Sequence, residues 1–185
     1  LVELAESLGT PIDLLGHSMG GKASMMATLT RPDLIRKLIV ADIAPVTYSH
    51  TQMMYIDAMR GIDLSNLERR SQAEAALRAV IDDPILPSFF TQSLDLKAKR
   101  WKLNLDTLAQ EMQAILSFPE VTGHFTGPTL FLTGATSSYV LPEHRERIKA
   151  LFPKAKFAKI PGAGHWLHAE KPAEFEAAVR HFLAA

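Results

Sequence analysis

Apolar residues recur at helical spacing at Leu1, Leu4, Ala5 and Leu8, and Gly9 ends that pattern. Pro11 then leads into a short apolar run over 12–15, a glycine-rich turn over 16–21, and a helix over 22–29 that Pro32 closes. A second apolar run covers 38–41. Two short apolar runs joined by a helix predict a right-handed crossover in a parallel sheet covered on both faces. The pattern returns near the end, with a strand over 129–133, a helix over 143–151 and a strand over 157–160. A last helix opens near Pro172 and carries Phe175, Ala178, Val179, Phe182 and Leu183 on one face, which should pack on the sheet. The expected class is therefore α/β, a parallel sheet flanked by helices.

Residues 45–127 interrupt this alternation with helical stretches, notably 71–81 and 105–116, and no convincing strand. They are expected to form an insertion between two core segments, 1–44 and 128–185. The insertion holds Met53, Met54, Met59 and Met112 beside Tyr55, Phe89, Phe90 and Trp101. Such an adaptable apolar set serves either as the insertion's own core or as a lid over an apolar pocket.

Composition narrows the classes. The chain has 185 residues, 47% hydrophobic and 22% charged, with twenty basic and twenty acidic side chains balancing to zero. That is the make-up of a globular domain, and no global field draws it to nucleic acid or an anionic membrane. The absence of cysteine excludes a disulfide scaffold and a thiol nucleophile. No apolar run reaches the roughly 18 residues that span a bilayer. A cytoplasmic location is the working expectation. The chain starts at Leu1 inside an amphipathic pattern and is expected to be a piece of a longer protein, whose targeting signal would lie upstream.

The strongest chemical signal is Gly16-His17-Ser18-Met19-Gly20, a G-x-S-x-G sequence between an expected strand and an expected helix. A sharp strand-to-helix turn strains the backbone of its central residue, and Gly16 and Gly20 are expected to relieve the crowding. The turn lifts the Ser18 hydroxyl clear of the sheet and leaves the Met19 N–H to bind a developing oxyanion. A serine hydroxyl needs an imidazole to take its proton. Of seven histidines, His165 fits best, because Gly162-Ala163-Gly164-His165 follows the last strand at the same sheet edge. His165 and His168 could suggest a metal pair, but no third ligand accompanies them. No metal or organic cofactor is expected. The third member must orient the imidazole, and Asp42, at the end of the 38–41 strand, emerges at the same edge. It could instead cap the following loop. Glu143 is the reserve. Strand geometry turns His17 away from Ser18, and His17, Tyr139 and Trp166 are expected to contact substrate.

Together GHSMGG (16–21), DIAPV (42–46), SSYV (137–140) and GAGHWLHAEKP (162–172) resemble the α/β-hydrolase superfamily and, within it, the YbfF-like esterase subgroup. The resemblance covers the whole chain. It implies a carboxylic ester hydrolase with a Ser-Asp-His triad, Ser18, Asp42 and His165, a helical lid, and a small-molecule acyl ester as substrate. Many members carry the acid after the strand that follows the lid; here the 134–142 loop has no carboxylate, and the subgroup's earlier acid position maps onto Asp42. The family's first four strands, and the loop giving a second oxyanion donor, have no counterpart in this sequence. An unpaired nucleophile strand would then favour self-association, and a lost oxyanion donor would make this segment alone slow or inactive.

The rival is a nucleotide-binding P-loop, because Gly16-x-x-x-x-Gly21-Lys22 also follows a strand and opens a helix. It lacks the hydroxyl for magnesium at Ala23. Thioester or other acyl hydrolysis, through the same acyl-enzyme route, is the alternative within enzymes.

Overall fold

A computed structural model describes residues 1–185. The chain divides into two compact units: residues 1–46 with 118–185, and residues 47–117.

The first unit opens with α1 (Val2–Ser7), β1 (Ile12–His17) and α2 (Met19–Thr30), and a 3₁₀ turn at Pro32–Leu34 leads into β2 (Ile35–Ala41). The second unit contains α3 (Met53–Arg60), α4 (Arg70–Arg78), α5 (Leu86–Thr91), the two-residue strands β3 (Leu94–Asp95) and β4 (Arg100–Trp101), α6 (Leu105–Gln110) and α7 (Met112–Leu116). The chain returns to the first unit through β5 (Thr129–Gly134), a 3₁₀ turn at Pro142–His144, α8 (Arg145–Leu151), β6 (Ala155–Ile160), α9 (Leu167–Glu170) and α10 (Pro172–Ala184).

The sheet order is β1-β2-β5-β6. All its pairs are parallel, as the two apolar-run patterns predict. Every residue of the inner strand β5 is buried, which is why it reads as a continuous apolar run rather than an alternating one. On one face Ile39, Leu130, Leu132 and Ile160 pack with Leu167 and with Phe182 of α10. On the other, Val40 lies under Gly21 of α2, and Phe131 meets Phe152 at the end of α8 with ring centroids 5.9 Å apart. Helices therefore cover both faces, and the carboxyl ends line up: His17 pairs with Ala41, Ala41 with Leu132, and Gly134 with Ile160. Loops that leave this edge converge.

Several expected boundaries move. β2 begins three residues before the apolar run, because its polar residues are satisfied sideways: Arg36 pairs with Asp13 through Nε at 2.8 Å, and Lys37 Nζ donates to the Leu183 carbonyl at the end of α10 at 2.7 Å. The expected helix over 105–116 is two helices broken at Glu111, where ψ is 6°. The region expected to lack strands holds the short antiparallel pair β3–β4, whose Leu94 packs with Leu67 and Ala73 inside the second unit.

Candidate active site

Ser18 sits between β1 and α2 with φ 53° and ψ −122°, a conformation that costs a non-glycine residue of the order of 1–3 kcal/mol. Its N–H donates to the Ala41 carbonyl at 3.0 Å, and its own carbonyl accepts the first α2 bond, from Lys22 N, at 3.1 Å. The expected relief of crowding proves one-sided. A Cβ on Gly16 would lie 2.2 Å from the Gly20 carbonyl oxygen, whereas a Cβ on Gly20 would meet nothing within 4 Å. Gly16 is demanded by the backbone of the following helix; Gly20 is not sterically demanded.

Asp42 follows β2 and also has a positive φ, 50°, one of only three non-glycine residues to do so. Its carboxylate is fully buried, a costly placement unless every lone pair is used. Gly134 N–H donates to Oδ1 at 3.1 Å, while the Ser137 hydroxyl at 2.5 Å and the His165 Nδ1 at 2.8 Å both reach Oδ2. The end of β5 and the loop after it, which carries no carboxylate of its own, thus supply two of the three donors that hold Asp42. Sequence reading missed Ser137, although it stands in the SSYV segment.

His165 completes the set. With Nδ1–H directed at Asp42, Nε2 carries the lone pair and accepts from the Ser18 hydroxyl at 3.1 Å. Residues 18, 42 and 165, far apart along the chain, therefore form one unbroken hydrogen-bonded row. Met19 is the first residue of α2, so its N–H is among the donors at that helix end with no partner inside the helix.

The aromatic neighbours are arranged around His165. Tyr139 stacks on its ring at 3.9 Å between centroids and 17° between planes, and Trp166 meets it edge-on at 5.7 Å. His17 lies beside the base: its ring is 4.8 Å from that of His165, and its Nε2 donates to the His165 carbonyl at 2.8 Å. Burial pushes the His17 imidazole down to about 4, so it is a neutral donor inside the site. Glu143 lies on the exposed 3₁₀ turn after the 134–141 loop, and Asp42 is the carboxylate bonded to His165. His168 packs edge-on to His17 at 4.7 Å, and no group of three His, Cys, Asp or Glu side chains comes together that could hold a metal. Lys22, the P-loop lysine of the rival reading, is buried in α2, and burial pushes its ammonium down to about 8. It is not presented to a phosphate.

This fold is that of an α/β hydrolase, and the match to the model of the alpha/beta hydrolase family extends over residues 1–178: the chain belongs to that family. Several of its relatives are named esterases or lipases. It is 41% identical over 182 residues to the mouse protein named sn-1-specific diacylglycerol lipase ABHD11, covering 94% of this chain and 59% of that one. It is 35% identical over 172 residues to Esterase YbfF of Escherichia coli (strain K12), covering 91% of this chain and 66% of that one. A solved structure titled "Marine microorganism esterase" superimposes with a TM-score of 0.92 at 37% identity, covering 97% of this chain and 73% of that one. The chain spans 56–59% of the length of the first curated relatives it matches. No helix is long and apolar enough to cross a membrane.

Proposed function

We propose that this protein hydrolyses carboxylic esters of small or medium acyl groups through a serine acyl-enzyme. The observation that carries the reading is the row Ser18 Oγ, His165 Nε2, His165 Nδ1, Asp42 Oδ2, with steps of 3.1 and 2.8 Å. His165 takes the Ser18 proton as Oγ attacks the ester carbonyl, and the imidazolium so formed stays bonded to the Asp42 carboxylate. The tetrahedral oxyanion receives the Met19 N–H, at the positive end of the α2 dipole. Its collapse expels the alcohol, which takes the proton from His165. Water, deprotonated by the same imidazole, then attacks the acyl-enzyme and releases the acid, with no cofactor in any step. The relatives' names, esterase and diacylglycerol lipase, favour oxygen esters over the thioesters that the same chemistry could cleave.

A fluorophosphonate should add one adduct at Ser18, located by peptide mass. Ser18→Ala should abolish labelling and remove most turnover of a p-nitrophenyl ester. Asp42→Asn should lower kcat about 10³–10⁴-fold, by allowing the wrong imidazole tautomer, with a far smaller change in KM. Labelling at another residue, or turnover that survives Ser18→Ala, refutes the reading. An almost silent Asp42→Asn beside a crippled Glu143→Gln would reassign the acid.

A further inference from the structure

His165 stands on a loop outside any ladder, so nothing in the sheet fixes its backbone, yet a base must be held to a fraction of an ångström. The polar backbone groups around it are nevertheless taken up. Glu170 Oε2 accepts the Gly164 N–H at 2.7 Å and Oε1 accepts the Trp166 N–H at 3.1 Å, so one carboxylate straddles His165 from both sides. The His165 carbonyl is taken by His17 Nε2.

We propose that Glu170 is a positioning residue for His165, its two oxygens clamping the peptide groups on either side while His17 holds the carbonyl between them. This rests on the hydrolase reading above. Two N–H donors facing one side chain call for an acceptor with two oxygens, which a carboxylate supplies and an amide does not. Both bonds are also charge-assisted. Glu170 reaches the loop because α9 is a single turn: Ala169 N and Glu170 N both donate to the Trp166 carbonyl, at 2.7 and 2.8 Å, while fully buried Leu167 anchors the turn. Gly164 lets the loop lie against the carboxylate, since a Cβ there would come within 3.2 Å of Oε1. The Glu170 side chain is exposed, so packing in the core is not its contribution. With the backbone clamped, the Asp42 bond to Nδ1 and the Tyr139 stack settle the remaining freedom, the rotation of the imidazole about its own bonds.

The test compares Glu170→Ala, Glu170→Gln and Glu170→Asp with the unsubstituted protein by steady-state hydrolysis of a p-nitrophenyl ester and by proton NMR of the low-field His165 Nδ1–H, assigned by its loss in Asp42→Asn. Glu170→Ala is expected to lower kcat 10–100-fold with KM within about twofold, in line with the cost of an ångström-scale misplacement. The Nδ1–H signal should broaden or move upfield, and Glu170→Asp should recover part of both. Should Glu170→Ala not fold, Glu170→Gln, which keeps one acceptor oxygen, decides by the same readings. Unchanged kcat, or a lost kcat with the low-field proton intact, overturns the proposal. The NMR arm needs no turnover, so it separates failure of this clamp from failure of the hydrolase reading.

Discussion

A methyl group on Gly134 should disable the site from its far side. Gly134 ends β5, and a Cβ there would lie 2.0 Å from the Gly164 carbonyl oxygen, 2.6 Å from that of Ala163 and 2.7 Å from the Gly164 carbonyl carbon. All three atoms are backbone, so no rotamer change clears them. The separation falls short of contact by at least about 1 Å, and the histidine loop or the end of β5 must move by that much. Either movement reaches the site, since His165 is the next residue after Gly164 and the Gly134 N–H is one of the donors on Asp42. A shift of that size lengthens the 2.8 and 3.1 Å steps beyond hydrogen-bond range. Gly134→Ala is therefore expected to lower kcat/KM about 100-fold. Overpacking should destabilise the fold by about 1–3 kcal/mol, a fall of several degrees in Tm. Ester hydrolysis and a thermal melt followed by circular dichroism measure the two effects. Gly20→Ala is the control: with open space at its Cβ, it should keep both activity and Tm although it alters the G-x-S-x-G motif. If Gly134→Ala matched the unsubstituted protein in both assays, or Gly20→Ala were the worse of the two, the steric argument would be wrong.

Two further outcomes follow from single features. Folding holds the His17 imidazole near 4, chiefly through burial, while the unfolded chain takes up that proton near 6.5. Stability is therefore undiminished above pH 6.5, falls as pH drops towards 4, and falls no further on this account below that. The loss amounts to about 3 kcal/mol in full and nearer 1–2 kcal/mol for a ring only partly shielded from water. Urea titrations across this window should show a shallower fall for His17→Gln, whose amide can still donate to the His165 carbonyl; equal slopes would disprove the linkage. Separately, β1 forms one side of the sheet, and Leu4, Leu8 and Leu15 expose apolar surface around it. For a chain limited to residues 1–185 we propose self-association through this edge, which sedimentation should detect as concentration-dependent and Leu15→Lys should weaken. A strictly monomeric protein, or an unaffected Leu15→Lys, would count against it.

The features legible in the sequence are those with local causes. Short apolar runs bounded by glycine and proline mark β1, β2, β5 and β6; the inner strand β5 and the end of β2 are apolar throughout because both their faces are buried, while the edge strands β1 and β6 are only partly buried and carry the weaker signal. The G-x-S-x-G turn places Ser18, the glycine-flanked histidine places His165, and the end of β2 places Asp42, because parallel strands deliver their carboxyl ends to one edge. Where polar residues find partners distant in sequence, the signal fades. Arg36 and Lys37 hide the start of β2, since Asp13 and the end of α10 satisfy them.

Chain order alone thus determined the layered sheet and the three candidate residues, since period, turn chemistry and strand direction are written within a few neighbours. Tertiary structure decided how those three are held. Gly134 at the end of β5 and Ser137 in the loop after it reach Asp42, Glu170 and His17 take up the polar groups around His165, and Tyr139 lies across its ring. It also decided that Gly16 is indispensable where Gly20 is not, and that Lys22 is buried away from any phosphate. Such contacts are set by distance in space, and separations of up to 148 positions along the chain leave no periodic trace from which to read them.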